Sequence, residues 1–228
     1  MKILASDFDN TLFYLDDEEA NKKNIAAINE FIKNGNNFCI VTGRNYTSIK
    51  SLLNEYNIPY TYLICDDGAK IFDSVDSNLN TILLDKNDIA KVCELLDKID
   101  CVYCLDDGYN KTDYFDDCVK IVVDSDDSKK FQEIVDYINK NIDIHIYASR
   151  FHVNIINRNV NKRNALLKLI ELEKIDRNNL YVIGDNDNDY EMLEEFNGAV
   201  IKKHNSKLDT LKKNEYNYLS DYIDYLLK

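Results

Sequence analysis

Proline and glycine are scarce in this 228-residue chain, one and six respectively. A long flexible linker would be rich in such residues, and none is expected. Positive charge is scarce too: 28 Lys and Arg stand against 41 Asp and Glu, for a formal net charge of −13. Nucleic acid and anionic membranes need a basic surface to neutralise phosphates, so neither is an expected partner. No apolar run approaches the ~20 residues of a membrane span. The opening MKILASDFD meets acid too early for a signal peptide, and a cytoplasmic location is expected. The three histidines, His145, His152 and His204, lack metal-ligand spacing. His145 alternates with Ile144 and Ile146, as a strand residue on a half-exposed face would. The six cysteines lie mostly within apolar patterns, as buried reduced thiols do. Cys101 and Cys104 have redox or zinc spacing, but there is no second such pair. In a strand their thiols would face opposite ways.

Hydrophobic residues make up 45% of the chain, ample for a core, and the length suits one domain with an insertion or two small ones. Short apolar runs alternate with helix-period segments, the pattern of a parallel α/β sheet. Residues 2–6, 38–41, 62–65, 180–183 and 199–201 read as core strands. Ile25, Ile28, Phe31 and Ile32 mark a helix closed by Asn34-Gly35. Ile49, Leu52, Leu53 and Tyr56 mark a second, stopped near Pro59. A third runs between Lys162 and Lys174. Residues 82–152 change rhythm to helix-strand-strand, twice, which predicts a small inserted α/β unit with an antiparallel sheet. Residues 1–81 and 153–228 then form the core. The insert is acidic, with ten Asp against three Lys between residues 97 and 127.

Four polar features fall at the ends of predicted core strands or at the start of a helix feeding one. They are Asp7-Phe8-Asp9-Asn10-Thr11, Thr42-Gly43-Arg44, Lys162, and Gly184-Asp185-Asn186-Asp187-Asn188-Asp189. Ligands of open α/β sheets bind at the carboxyl ends of the strands, where all four can converge. Asp7 and Asp9, two apart, would project to one side of a strand. At roughly 6.5 Å two such charges repel by about 2–3 kcal/mol, which calls for a cation or a proton. Phosphoryl transfer needs an oxyanion nucleophile, a proton donor for the leaving group and positive charge on the equatorial oxygens. Asp7 suits the first role, Asp9 the second and Lys162 the third. Thr42 and nearby amides suit the phosphoryl oxygens, and Asp185 with Asp189 offers hard ligands for Mg²⁺.

In these motifs the chain resembles the haloacid dehalogenase superfamily, subfamily IIB, the Cof-like or sugar-phosphatase-like branch. That branch carries an α/β cap between its second and third motifs. The resemblance implies a Rossmann-like parallel core with a small cap and a Mg²⁺-dependent phosphatase working through an aspartyl phosphate on a small phosphorylated metabolite. It implies Asp7 as nucleophile and Asp9 as acid/base. The implied metal ligands are Asp7, Asp9 (through its backbone carbonyl) and Asp185, with Asp189 supporting that shell. Thr42, Gly43, Lys162 and Asn188 would contact the phosphoryl group, and Arg44, like Arg150 of the insert, the substrate beyond it. Two departures stand out: Asn10 where the family often has Gly, and Asp67 in Asp66-Asp67-Gly68-Ala69 where Asn is usual.

Other readings of the same residues exist. DNDNDYEMLEEF fails as a calcium loop, with Tyr190 where Gly is needed and Phe196 where Glu is needed. A phosphomutase would want several cap cations to hold a second phosphate, and the insert offers Lys111, Lys120 and Arg150. A non-catalytic Mg²⁺ or phosphate-binding module would not require both Asp7 and Asp9. No protein partner is indicated.

Overall fold

Ile3–Asp7 is buried at all five positions, which requires a strand covered on both faces. The computed structural model describes residues 1–124, 128–148 and 152–228. The chain runs through β1 (Ile3–Asp7), α1 (Glu18–Lys33), β2 (Asn37–Val41), α2 (Tyr46–Glu55), β3 (Tyr62–Cys65), β4 (Lys70–Asp73) and β5 (Asn78–Thr81). Next come α3 (Lys86–Lys98), β6 (Tyr103–Asp106), β7 (Lys111–Thr112), β8 (Lys120–Asp124), α4 (Ser128–Asn141), β9 (Ile144–Ala148) and β10 (His152–Asn157). The last elements are α5 (Lys162–Glu173), β11 (Leu180–Gly184), α6 (Tyr190–Glu195), β12 (Asn197–Ile201), β13 (Asn214–Tyr216) and α7 (Leu219–Leu227).

The larger sheet has the order β13-β12-β11-β1-β2-β3-β4-β5. The strands from β13 to β3 are parallel, and β4 and β5 close the edge antiparallel. Ile28 and Phe31 of α1, Ile49 and Leu53 of α2, and Leu219 and Ile223 of α7 cover one face. Ala165, Leu166 and Leu169 of α5, with Met192 and Leu193 of α6, cover the other. The apolar spacing on α1 and α5 repeats every three to four residues, which fixes the face each helix turns inward. No helix among the described residues is long and apolar enough to cross a membrane.

The smaller sheet, β7-β6-β8-β10-β9, is antiparallel throughout. Its helix-covered face buries Ile121, Val123, Val153 and Ile155 under Ile89, Val92 and Leu96 of α3 and Ile134 and Ile138 of α4. Strand period two then sends Lys120, His145, Tyr147 and Asn154 to the opposite face. This sheet keeps β10 as far as Asn157, five residues beyond the boundary expected at 152. The reason is pairing: β10 takes its backbone hydrogen bonds from β8 and β9, and local alternation does not reveal which sheet a strand will join. The smaller sheet also gains the short β7, and the larger one β4, β5 and β13, none of which the apolar runs announce. β6 begins at Tyr103, so Cys101 precedes the strand, its N–H closing on Leu96 O at 3.0 Å.

The two sheets meet through the insert's β6–β7 turn and β8. Lys120 Nζ lies 2.5 Å from Asp66 Oδ1, both side chains being buried. Asn45 Nδ2 donates to Asp106 Oδ2 at 3.1 Å, and Tyr46 N to Gly108 O at 2.8 Å. Tyr109 packs edge-on to Tyr46 and Phe72, with Lys70 Nζ 3.8 Å over its ring. Gly108 has φ +86, a left-handed position that favours glycine, and a Cβ there would fall 2.4 Å from Lys70 Cε, so the lysine end would have to shift.

Candidate active site

β1 carries Asp7 to the carboxyl edge of the sheet, flanked by β2 and β11. Phe8 turns the other way and stacks on Phe13 at 5.4 Å, anchoring the loop that follows. Lys162, at the start of α5, is fully buried and bridges two carboxylates: Asp7 Oδ1 at 2.6 Å and Asp189 Oδ1 at 2.7 Å. Asn161 caps that helix by accepting from Asn164 N at 2.7 Å, which fixes where Lys162 starts. Asp185 accepts from the Thr11 hydroxyl at 2.7 Å. Asp189 folds back so that its Oδ2 accepts from Asp185 N and Asn186 N at 2.9 and 3.0 Å. A Cβ on Gly184 would lie 2.4 Å from that carboxyl group, so glycine there admits the fold-back.

Three buried carboxylates thus surround one ammonium. Burial pushes Asp7 well above the usual carboxylate range; Lys162 pulls it back, and Asp189 and Asp185 push it up again. Burial likewise pushes Asp185 up to about 6, against the Thr11 hydroxyl. Burial alone would lower Lys162, but Asp189 and Asp7 outweigh it and keep the ammonium charged. Asp7, Asp185 and Asp189 each place an oxygen within 4.8 Å of the others. This donor set fits a hard divalent cation, with Asp7 and Asp185 as the groups able to hold it. Asp189 has both oxygens committed to donors, which fits support of that shell rather than direct ligation.

Asp9 lies beyond the strand, half exposed, with its carboxylate gripped by Arg44: Nε to Oδ2 at 2.8 Å and a terminal nitrogen to Oδ1 at 2.7 Å. The sequence reading sent Arg44 past the phosphate; in the structure it pairs with Asp9, since both follow adjacent strands, and it also lines the cavity over the site. Thr42 N bonds to Ile64 O at 2.9 Å, and its hydroxyl accepts from Arg44 N at 3.1 Å. Asn10 sits at φ +61, a left-handed position that suits Asn as it does Gly.

A cavity of about 590 Å³ opens over these groups. Asp7, Asp9, Asp67 and Asp185 line it from the core, and Tyr147 and Asn154 from the cap. Thr42 and Lys162 lie beneath its floor, while Gly43, Arg44 and Asn188 reach it. Asp67, Tyr147 and Asn154 are cavity residues to which the motif reading gave no role. The signal for Tyr147 was present in IDIHIYA, whose alternation puts His145 and Tyr147 on one face; the rings pack tilted, 4.5 Å between centroids. Of the insert's cations, Lys120 is bound to Asp66, Lys111 is exposed on β7, and Arg150 lies outside the described residues.

The family model for sucrose-6F-phosphate phosphohydrolase matches residues 1–222. An uncharacterized protein of Mycoplasma capricolum subsp. capricolum is 30% identical, with 97% of each chain covered. Among solved structures, a haloacid dehalogenase-like hydrolase from Bacteroides thetaiotaomicron superposes with a TM-score of 0.85 at 15% identity, covering 99% of both chains. One from B. subtilis gives 0.85 at 16%, covering 99% of this chain and all of its own. The subclass IIB sugar phosphatase BT4131 gives 0.82 at 14%, covering 99% of each. A parallel sheet with Asp7, Lys162 and Asp185 gathered at its carboxyl edge, and a family match over nearly the whole length, lead to one conclusion: the chain belongs to the sucrose-6F-phosphate phosphohydrolase family of haloacid dehalogenase-type phosphatases.

Proposed function

We propose that this phosphatase hydrolyses a small phosphorylated metabolite in two steps through a phosphorylated Asp7, with Mg²⁺ as cofactor. The observation that carries the proposal is Lys162, buried between Asp7 and Asp189 with Asp185 alongside. Asp7 attacks phosphorus; the bond to the leaving oxygen breaks, and Asp9 gives that oxygen its proton. Asp9, now a carboxylate, takes a proton from water as the water oxygen bonds to phosphorus and the Asp7–phosphorus bond breaks. Arg44 holds Asp9 in the doubly accepting geometry of a carboxylate, which suits this second step. Lys162 balances charge on the transferring group, while Thr42, the Gly43 amide and Asn188 orient its oxygens. Asp7, Asp185 and the Asp9 carbonyl would hold Mg²⁺, which would supply positive charge near those oxygens.

The cap, taken here as residues 82–157, closes over this site and excludes water. Phosphatase is favoured over mutase by the family match, and the described cap residues lining the cavity, Tyr147 and Asn154, carry no positive charge. Sugar phosphates are the substrates to try first, by analogy with the family. The test is hydrolysis of an aryl phosphate with Mg²⁺, with chelator, and with Mg²⁺ restored. Loss in chelator and recovery afterwards is expected. Full activity in chelator overturns the metal assignment, and no hydrolysis of any phosphate ester overturns the reading.

A further inference from the structure

Asp67 is a carboxylate with no evident use in the chemistry above. It sits at φ +55 in the turn after β3, its N–H bonded to Thr42 O at 3.0 Å. It is 2% exposed, yet it lines the cavity. Its Oδ1 accepts from Asn188 Nδ2 at 2.9 Å. A Cβ added to Gly43 would stand 3.0 Å from the same oxygen, so no side chain separates Asp67 from the phosphate-binding turn. Asp7, Asp9 and Asp66 each have a cation within ion-pair distance; among the described residues Asp67 has none. The fold does not require this charge. Asparagine adopts the left-handed turn equally well and would accept the same bond from Asn188. A buried carboxylate with only an amide donor and no ion-pair partner among the described residues can take a further donor from a ligand in the cavity.

The cap supplies a complementary group. Tyr147 Oη is buried and has no hydrogen-bond partner among the described residues. Burial and the charge of Asp67 both keep this phenol protonated, so it remains a donor. One wall of the cavity thus offers a carboxylate that needs a donor, and the other a phenol that needs an acceptor. A hydroxyl group serves both, and an ammonium group serves Asp67. A second anion can accept from Tyr147 but meets the repulsion of Asp67.

We infer that Asp67 is a specificity residue, accepting hydroxyl or ammonium donors from the organic part of the substrate and turning away compounds with a second anionic group. This rests on the phosphatase reading for its catalytic form, but the selection is one of binding and is measurable without turnover. The probes are a hexose 6-phosphate, its 2-amino analogue and its C1-carboxylate analogue, each with Mg²⁺. Wild-type kcat/KM is expected to fall from amino through neutral to carboxylate, by about tenfold across the series. Asp67→Asn should compress that spread to about threefold or less, read as ratios within each protein. Calorimetric binding to both proteins reports the same ratios. Binding in this order without hydrolysis of any ester leaves the filter standing and removes the phosphatase reading. Aryl phosphate turnover with a spread that is absent, or unchanged in Asp67→Asn, overturns the filter and keeps the phosphatase. Failure to bind all three probes also overturns the filter.

Discussion

Lys162 and Lys120, both buried among carboxylates, differ in the charge balance of their surroundings. Lys162 faces Asp7 and Asp189 with Asp185 beside them, an excess of negative charge. Lys120 faces Asp66 alone at contact distance, one charge against one, where the insert meets the core. Balance explains the second as a fastening between two sheets. Excess cannot be explained that way, since removing carboxylates would relieve the fold; it makes sense when a cation and a phosphate complete the set. The balanced pair has its own weak member. Asp66 Oδ2 is buried without a hydrogen-bond partner among the described residues, and burial pushes Asp66 up to about 7 despite Lys120. Lys120, also lowered by burial, is raised on balance by Asp66 and stays charged.

The sharpest way to break the comparison is Asp7→Asn. Turnover should drop by roughly 10⁴-fold, because an amide is no nucleophile. Thermal stability without metal should hold or rise, since one repelling charge is gone. Appreciable turnover by homogeneous Asp7→Asn protein would remove the phosphoryl-aspartate step. Lys120→Met should show the opposite profile, a loss of about 3–5 kcal/mol in urea denaturation at pH 8, because buried Asp66 loses its cation and must take up a proton or stay charged without a counter-ion. Adding Asp66→Asn should restore most of that loss; a double variant no more stable than Lys120→Met would show that the pair is not the fastening. The smallest effect is in pH. A carboxyl group raised on folding is stabilising while protonated, so its contribution declines as pH climbs from about 4 toward about 7. Wild-type stability should fall by about 2 kcal/mol more than that of Asp66→Asn between pH 5 and pH 7. Asp185 adds slope of the same sign in metal-free protein, and subtracting the two curves cancels it. Parallel curves would place Asp66 in the normal carboxylate range.

The core strands and the carboxylates of the candidate site were readable in the sequence for a local reason. Buried parallel strands are apolar runs, and the residues that follow them must lie at the carboxyl edge, as Asp7, Thr42 and Asp185 do. Pairings across the fold were not readable. Nothing near Arg44 points to Asp9, 35 positions away, and nothing in KIVVD tells Lys120 that it will meet Asp66. The boundary at Asn157 was missed for the same cause, since β10 is assigned by its neighbours rather than its composition. Tyr147 lay between these extremes: alternation gave its face, but only the position of the smaller sheet gave that face a cavity to line.

The order β11-β1-β2 has a consequence for how the chain is made. Thr11 meets Asp185 across 174 residues, so one flank of β1 waits for a partner until β11 has been made. At 5–20 residues per second that interval is on the order of ten to thirty seconds. Throughout it, a strand of Ile3, Leu4 and Ala5 has only β2 beside it, on a nascent chain tethered to its ribosome. Ribosome-held fragments that end before Leu180 should therefore engage chaperones that bind unpaired apolar strands, and fragments extending well past Gly184 should release them.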